Sequence, residues 1–126
     1  MPEQAQHPRD AIQIAQVHRA MPDRASIEAL ARTFDALGDV TRMRIVAALS
    51  LGPLCVGDLA ELLDTSMSAV SHQLRLLRAT GVIRSERQGR HVLNLLDDDH
   101  IIAMIAGGLD HVQHGAVPPA QGEQDE

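Results

Sequence analysis

The residues best suited to chemistry stand at the two ends of one short stretch, Asp98 and His100 at its start and His111 and His114 at its end. One carboxylate and three imidazoles suit a borderline divalent ion in tetrahedral geometry. Zn2+ is the default for such a set and Co2+ also fits, while Ni2+ usually wants more ligands, which His7 or His18 could supply. The stretch reads as a helix from near Asp98 to about His114. On it, His111 and His114 are three residues apart, share a face and can close on one ion. Asp98 and His100 converge only because the helix is just beginning there. The two pairs do not meet within one chain: the 11 residues from His100 to His111, at about 1.5 Å each, span roughly 16 Å, whereas ligands of one ion lie only about 3 to 4 Å apart. Two antiparallel copies around a twofold axis bring the pairs together, with two equivalent sites per homodimer. The plain alternative is a solvated helix whose Asp97, Asp98 and Asp99 merely favour its positive N-terminal end.

A second constellation is electrostatic. The chain carries a net charge of −6, yet all 11 of its basic residues are arginines, and five of them (Arg75, Arg78, Arg84, Arg87, Arg90) fall between Thr65 and His91 against one acid, Glu86. A nucleic-acid face needs a local positive field rather than a positive whole. Here the pattern predicts a short helix from about Val56 to Leu63, a break at Asp64-Thr65-Ser66, and a longer helix from about Met67 to Ala79: a helix-turn-helix. Ser66, Ser68, Ser71, His72, Gln73 and Arg75 place donors and acceptors along the second helix. Gln73 can pair with adenine, and Arg75 can contact guanine or phosphate. Residues 82–87 and 91–96 flank Gln88-Gly89-Arg90 as a β-hairpin, whose Arg87 and Arg90 would lie over a neighbouring minor groove or the backbone.

The elements that must carry these residues are mainly α-helical with one β-hairpin. Ser26 can cap a helix running to about Leu37, and Thr41 starts another through Leu49, followed by a turn at Gly52-Pro53. Phe34 is the one aromatic residue among 126, so the core must be aliphatic, and so small a core gains from a partner subunit. Residues 1–22 form a flexible or partly helical arm, with a helix over Ala11–Ala20. Residues 23–114 form a winged helix-turn-helix domain ending in a dimerising helix, and residues 115–126 a disordered tail. No stretch reaches the length of a membrane span. The polar start, with Glu3, Gln4, Gln6, His7 and Arg9, does not read as a signal peptide. A lone cysteine, Cys55, fits a cytoplasmic, reducing location.

Three segments carry a resemblance. Leu54-Cys55-Val56-Gly57-Asp58-Leu59-Ala60, Ser68-Ala69-Val70-Ser71-His72-Gln73-Leu74-Arg75 and Gln88-Gly89-Arg90-His91-Val92 are, in order and spacing, similar to the ArsR/SmtB family of metal-sensing repressors, over roughly residues 25 to 114. The resemblance implies a winged-helix homodimer whose outer helices pair, bound to double-stranded operator DNA and generally released by metal. It also implies that Asp98, His100, His111 and His114 match a ligand set of the family's last helix, found in zinc/cobalt and nickel/cobalt sensors. Cys55 and Asp58 resemble a second family site, but the arm lacks the cysteines that complete it; His7 or His18 could substitute. A single cysteine does not fit arsenic-type sensing, which needs a cluster of soft thiolates. Two rivals stand beside this reading. One is a winged-helix regulator without metal sensing, constitutive or answering to thiol oxidation at Cys55. The other is a metal-dependent hydrolytic enzyme, disfavoured because no substrate pocket, general base or phosphate loop is legible and four ligands leave no open position.

Overall fold

The computed structural model describes residues 8–115. His7 and residues 116–126, where a disordered tail is expected, lie outside the described residues. The elements run α1 (Pro8–Ala20), α2 (Arg24–Leu37), α3 (Val40–Leu49), α4 (Val56–Leu63), α5 (Met67–Ala79), β1 (Ile83–Gln88), β2 (His91–Leu96) and α6 (Asp99–Gln113).

Helix starts follow from side-chain caps that satisfy otherwise orphaned amides. Ser66 Oγ accepts from the Ala69 amide at 3.0 Å to open α5, and Asp98 Oδ1 accepts from Ile101 at 3.0 Å to open α6. Two starts lie earlier than the sequence pattern predicts. Ser26 is inside α2 rather than at its cap: its hydroxyl donates to Asp23 at 2.6 Å and its amide to the same carboxylate at 3.3 Å, so Asp23 is the capping residue. Likewise Asp39, not Thr41, opens α3, accepting from the Arg42 amide at 3.0 Å. In both cases the carboxylate stands three residues ahead of the amide it caps, a reach that the apolar pattern alone does not reveal.

The chain divides into two compact units, one up to Ala31 and one from Arg32 onward. The first comprises α1 and the start of α2 and leaves Ile14, Val17, Met21, Ile27 and Leu30 exposed. The second holds an aliphatic core built on Ile45, Val46, Leu59, Val70, Leu77 and Val82. Phe34 is 52% exposed, so the one aromatic ring stays outside the core. The hairpin is antiparallel, registered from Ile83↔Leu96 at its base to Gln88↔His91 at its tip. Only the base is buried, through Ile83, Asn94 and Leu96. The tip turns at Gly89-Arg90, where Gly89 takes φ 63° as the first of two turn residues, a hairpin geometry that favours glycine. A hairpin anchored at one end and free at the other is a wing.

Candidate nucleic-acid interface and metal centre

α4 and α5 are joined through Asp64, which adopts a left-handed φ of 55°, and Thr65. Asp tolerates this conformation better than a branched residue, and it turns the chain sharply enough for α5 to cross α4. Val70, Leu74 and Leu77 bury one stripe of α5. Ser66, Ser68, His72 and Arg75 are exposed, while Ser71 and Gln73 are half-buried. Ser66 is committed to its capping bond. Gln73 is also committed: its Oε1 accepts from Arg42 Nη1 at 3.3 Å, and Arg42 is itself fixed by donating from Nε to the Ala36 carbonyl at 2.6 Å.

The five clustered arginines divide by partner. Arg84 pairs with Glu86 and donates to the Asp97 carbonyl. Arg78 donates to Ser85 Oγ at 2.8 Å and to Asn94 Oδ1 at 3.4 Å. Arg75, Arg87 and Arg90 are exposed, with no side-chain ion pair or hydrogen bond among the described residues, and Arg78 bonds only neutral groups, so the uncompensated charge of the cluster is that of these four. Asn94 is the one buried polar residue of the described core, at 3% exposure. It accepts from Ser85 Oγ at 3.0 Å and donates to the Leu54 carbonyl at 3.2 Å. Arg78 and Asn94 thus tie the end of α5 to both wing strands and to the segment entering α4. Neither role was legible from composition; a polar residue on the buried face of a strand was the available signal.

On α6 the expected residues stand at opposite ends: Asp98 and His100 meet, and His111 and His114 lie three residues apart at the helix end. His100 Nδ1 lies 3.6 Å from Asp98 Oδ2, with the imidazole 96% exposed. The Ile101 amide bond holds the Asp98 carboxyl below its usual value; slight desolvation opposes this and the nearby His100 adds to it. At the other end, His114 caps the helix, and its Nδ1 lies 2.9 Å from the Asp110 carbonyl and 3.0 Å from Asp110 Oδ1. That engagement leaves Nε2 as the free nitrogen. Asp110 was missed by the sequence reading, although it stands four residues before His114 on the same helical face. His111 is exposed. Among the described residues no three potential ligands converge within one chain, as the length of α6 requires. Cys55 precedes α4, half-buried, with Sγ donating to Asp58 Oδ2 at 3.2 Å. The two are brought together, and no third ligand joins them among the described residues.

The chemistry available is therefore hydrogen bonding and charge along α5 and the wing, and two open ligand pairs with the donor types a divalent transition ion accepts. No helix among the described residues is long and apolar enough to cross a membrane.

Comparison with known proteins gives this arrangement its context. A family profile described as "Bacterial regulatory protein, arsR family" matches residues 39–85. The chain is 38% identical over 105 residues to a transcriptional repressor SmtB homolog of Synechocystis, spanning 81% of this chain and 80% of that protein. It is 40% identical over 85 residues to the HTH-type transcriptional regulator NmtR of Mycobacterium tuberculosis, spanning 68% and 71% of the two. The solution structure of apo-NmtR superposes with a TM-score of 0.67 at 35% identity, covering 80% of this chain and 85% of that one. The fold also matches a homodimeric winged helix-turn-helix domain of Mycobacterium bovis at a TM-score of 0.69 and 19% identity, covering 80% and 95%. The chain belongs to the ArsR family of bacterial regulatory proteins, winged-helix DNA-binding transcriptional regulators and not enzymes.

Proposed function

We propose that the protein is a metal-responsive transcriptional repressor of the cytoplasm, bound as a homodimer to double-stranded operator DNA. It would be released when a divalent transition ion engages Asp98 and His100 of one subunit with His111 and His114 of the partner subunit. Zn2+ is the first choice, with Co2+ and Ni2+ as alternatives. The observation that carries this reading is the split donor set. Each end of α6 presents one exposed pair, Asp98 with His100 at 3.6 Å and His111 with His114 a turn apart, and neither pair is sufficient alone. Dimer formation is supported by an apolar groove of about 380 Å3 that α2, α3 and α6 leave open around Phe34, Met104 and Val112. It is supported also by the Mycobacterium bovis winged-helix domain, which is itself homodimeric.

Bound there, a divalent ion would supply a cross-link between the two copies of α6. The chain's own residues set up the rest. The Ile101 amide bond favours the Asp98 carboxylate and fixes one of its oxygens, and Asp110 engages His114 Nδ1, leaving Nε2 free. Arg75, Arg87 and Arg90 hold the unliganded dimer on DNA. Release follows if the liganded dimer favours a spacing of its two α5 helices that fits successive major grooves less well, each 1.4 kcal/mol of differential affinity being about tenfold. Fluorescence anisotropy on operator DNA, with Zn2+, Co2+ and Ni2+ titrated into wild type and a His111→Ala/His114→Ala variant, tests this. One metal should release wild type only; equal behaviour of the two proteins would contradict it.

A second reading has its own observation, the half-buried Cys55 thiol bonded to Asp58. In that reading the regulator answers to oxidation, or Cys55 and Asp58 contribute to a further metal site. A Cys55→Ser variant that keeps full metal response removes both.

A further inference from the structure

Between the start of α3 and the N-terminal half of α5 lies a cavity of about 230 Å3, floored by Ala69 and Val70 and rimmed by Thr41, Arg44, Thr65 and Gln73. Thr41, Arg44 and Thr65 are exposed, so the cavity is reachable from solvent on the side where Ser66 and Ser68 begin the reading helix. Its polar groups are all available as donors. The Arg44 guanidinium and the two threonine hydroxyls make no hydrogen bond or ion pair among the described residues. No carboxylate lines it, and Asp39, two residues before Thr41, is turned onto the Arg42 amide.

Gln73 completes the pattern for a reason of hydrogen-bond inventory. A guanidinium only donates, so Arg42, fixed on the Ala36 carbonyl, must face the oxygen of the Gln73 amide and not its nitrogen. Arg42 takes one of the two lone pairs of the Gln73 oxygen and restrains the amide, whereas Nε2 makes no hydrogen bond among the described residues. Bidentate pairing with adenine needs the oxygen and the nitrogen turned together onto one base edge, an orientation that the Arg42 bond restrains. A group that only accepts, and carries negative charge, satisfies the whole rim at once.

We propose that this cavity seats a backbone phosphate of DNA, with Arg44 supplying the charge and Thr41, Thr65 and Gln73 Nε2 the hydrogen bonds. Gln73 then fixes the register of α5 on the duplex instead of reading a base. The proposal rests on DNA binding through α5 and is independent of the metal reading.

Full-length protein is titrated by anisotropy, at several salt concentrations, against a duplex selected from a random pool and a scrambled duplex of equal length. Gln73→Met should weaken both by about tenfold, leaving their ratio and the salt dependence unchanged. Arg44→Gln should weaken both and make the log–log salt slope shallower by about 0.9 for each subunit engaged. Thr65→Val, a surface change, gives a second uncharged probe, expected to behave as Gln73→Met does. Thermal unfolding by circular dichroism confirms that each variant is folded. If Gln73→Met instead lowers only binding to the selected duplex and erases preference at one base pair, Gln73 is a base reader and the proposal is overturned. An Arg44→Gln slope equal to wild type overturns it as well. Wild type binding neither duplex would sink the DNA reading itself, an outcome distinct from both.

Discussion

The reading face and the last helix are built on opposite plans. Around α5 the candidate DNA contacts of each subunit lie within one chain: the capped helix, the arginine-tipped wing, and a junction of Arg78, Ser85 and the buried Asn94 between them. On α6 the candidate ligands are exposed, held only by local bonds, and divided between ends that do not meet. The difference teaches what each region does with rigidity. A surface that reads DNA must be preorganised, since ordering it on binding would cost affinity. A switch needs groups whose relation changes between two states of the molecule.

The sharpest break of that comparison is a core deletion set against a ligand deletion. Leu77→Ala removes a fully buried side chain beneath the reading helix and should cost about 2–5 kcal/mol in urea unfolding, lowering DNA affinity with it. His111→Ala/His114→Ala removes exposed rings and should change metal-free stability by no more than about 0.5 kcal/mol, the usual range for surface positions. Comparable losses in the two would erase the distinction between framework and switch.

Next in size is the junction. Asn94→Ala removes the side-chain bonds to the Leu54 carbonyl and to Arg78, which keep the residue 94 amide and Ser85 as partners, and should cost about 0.5–1.5 kcal/mol in the same assay. Its effect on DNA binding should also be coupled to the wing. In a double-mutant cycle, Arg90→Ala should weaken DNA binding less in the Asn94→Ala background than in wild type, because a loosened wing no longer presents Arg90. Strict additivity would make Asn94 a packing residue only.

The smallest effect belongs to the cap of α2. Asp23 is held below its usual value, first by the Ser26 hydroxyl and then by the Ser26 amide. A depressed carboxylate stabilises the fold above its unfolded value near 3.8 and loses that contribution as the pH falls through the lower folded value. Helicity of wild type should therefore fall slightly below pH 4, while Asp23→Ala, already lacking the cap, shows no such step at this site. Identical acid titrations of the two proteins would remove Asp23 from that role.

Most of this architecture was legible in the sequence because it rests on periodicity and punctuation. The apolar stripe of α5, the Asp64-Thr65-Ser66 break and the glycine turn of the hairpin each report a local constraint and lie where their patterns put them, except that Gln88 pairs with His91 in β1 and the turn is Gly89-Arg90 alone. The capping carboxylates Asp23 and Asp39 were read past because the pattern marks where apolar residues begin, not which upstream oxygen reaches back. The partition of the arginines was not legible at all. Whether Arg42 restrains Gln73, or Arg78 serves the wing, depends on residues 31 and 16 positions away meeting in space. The α6 pairs show the reverse: spacing alone excluded a site within one chain, a conclusion that needs only the rise of a helix.

The shared site is the central claim, and mixing two complementary variants tests it most directly. Asp98→Ala/His100→Ala keeps one ligand pair and His111→Ala/His114→Ala keeps the other, so neither homodimer has a complete set. A mixed dimer has one complete set and one empty set. Co2+ absorption should be absent from each variant alone and return when the two are refolded together, at about a quarter of the wild-type stoichiometry for random pairing. Wild-type-like Co2+ spectra in either variant alone, or none in the mixture once mixed dimers are demonstrated, would contradict a site shared between subunits.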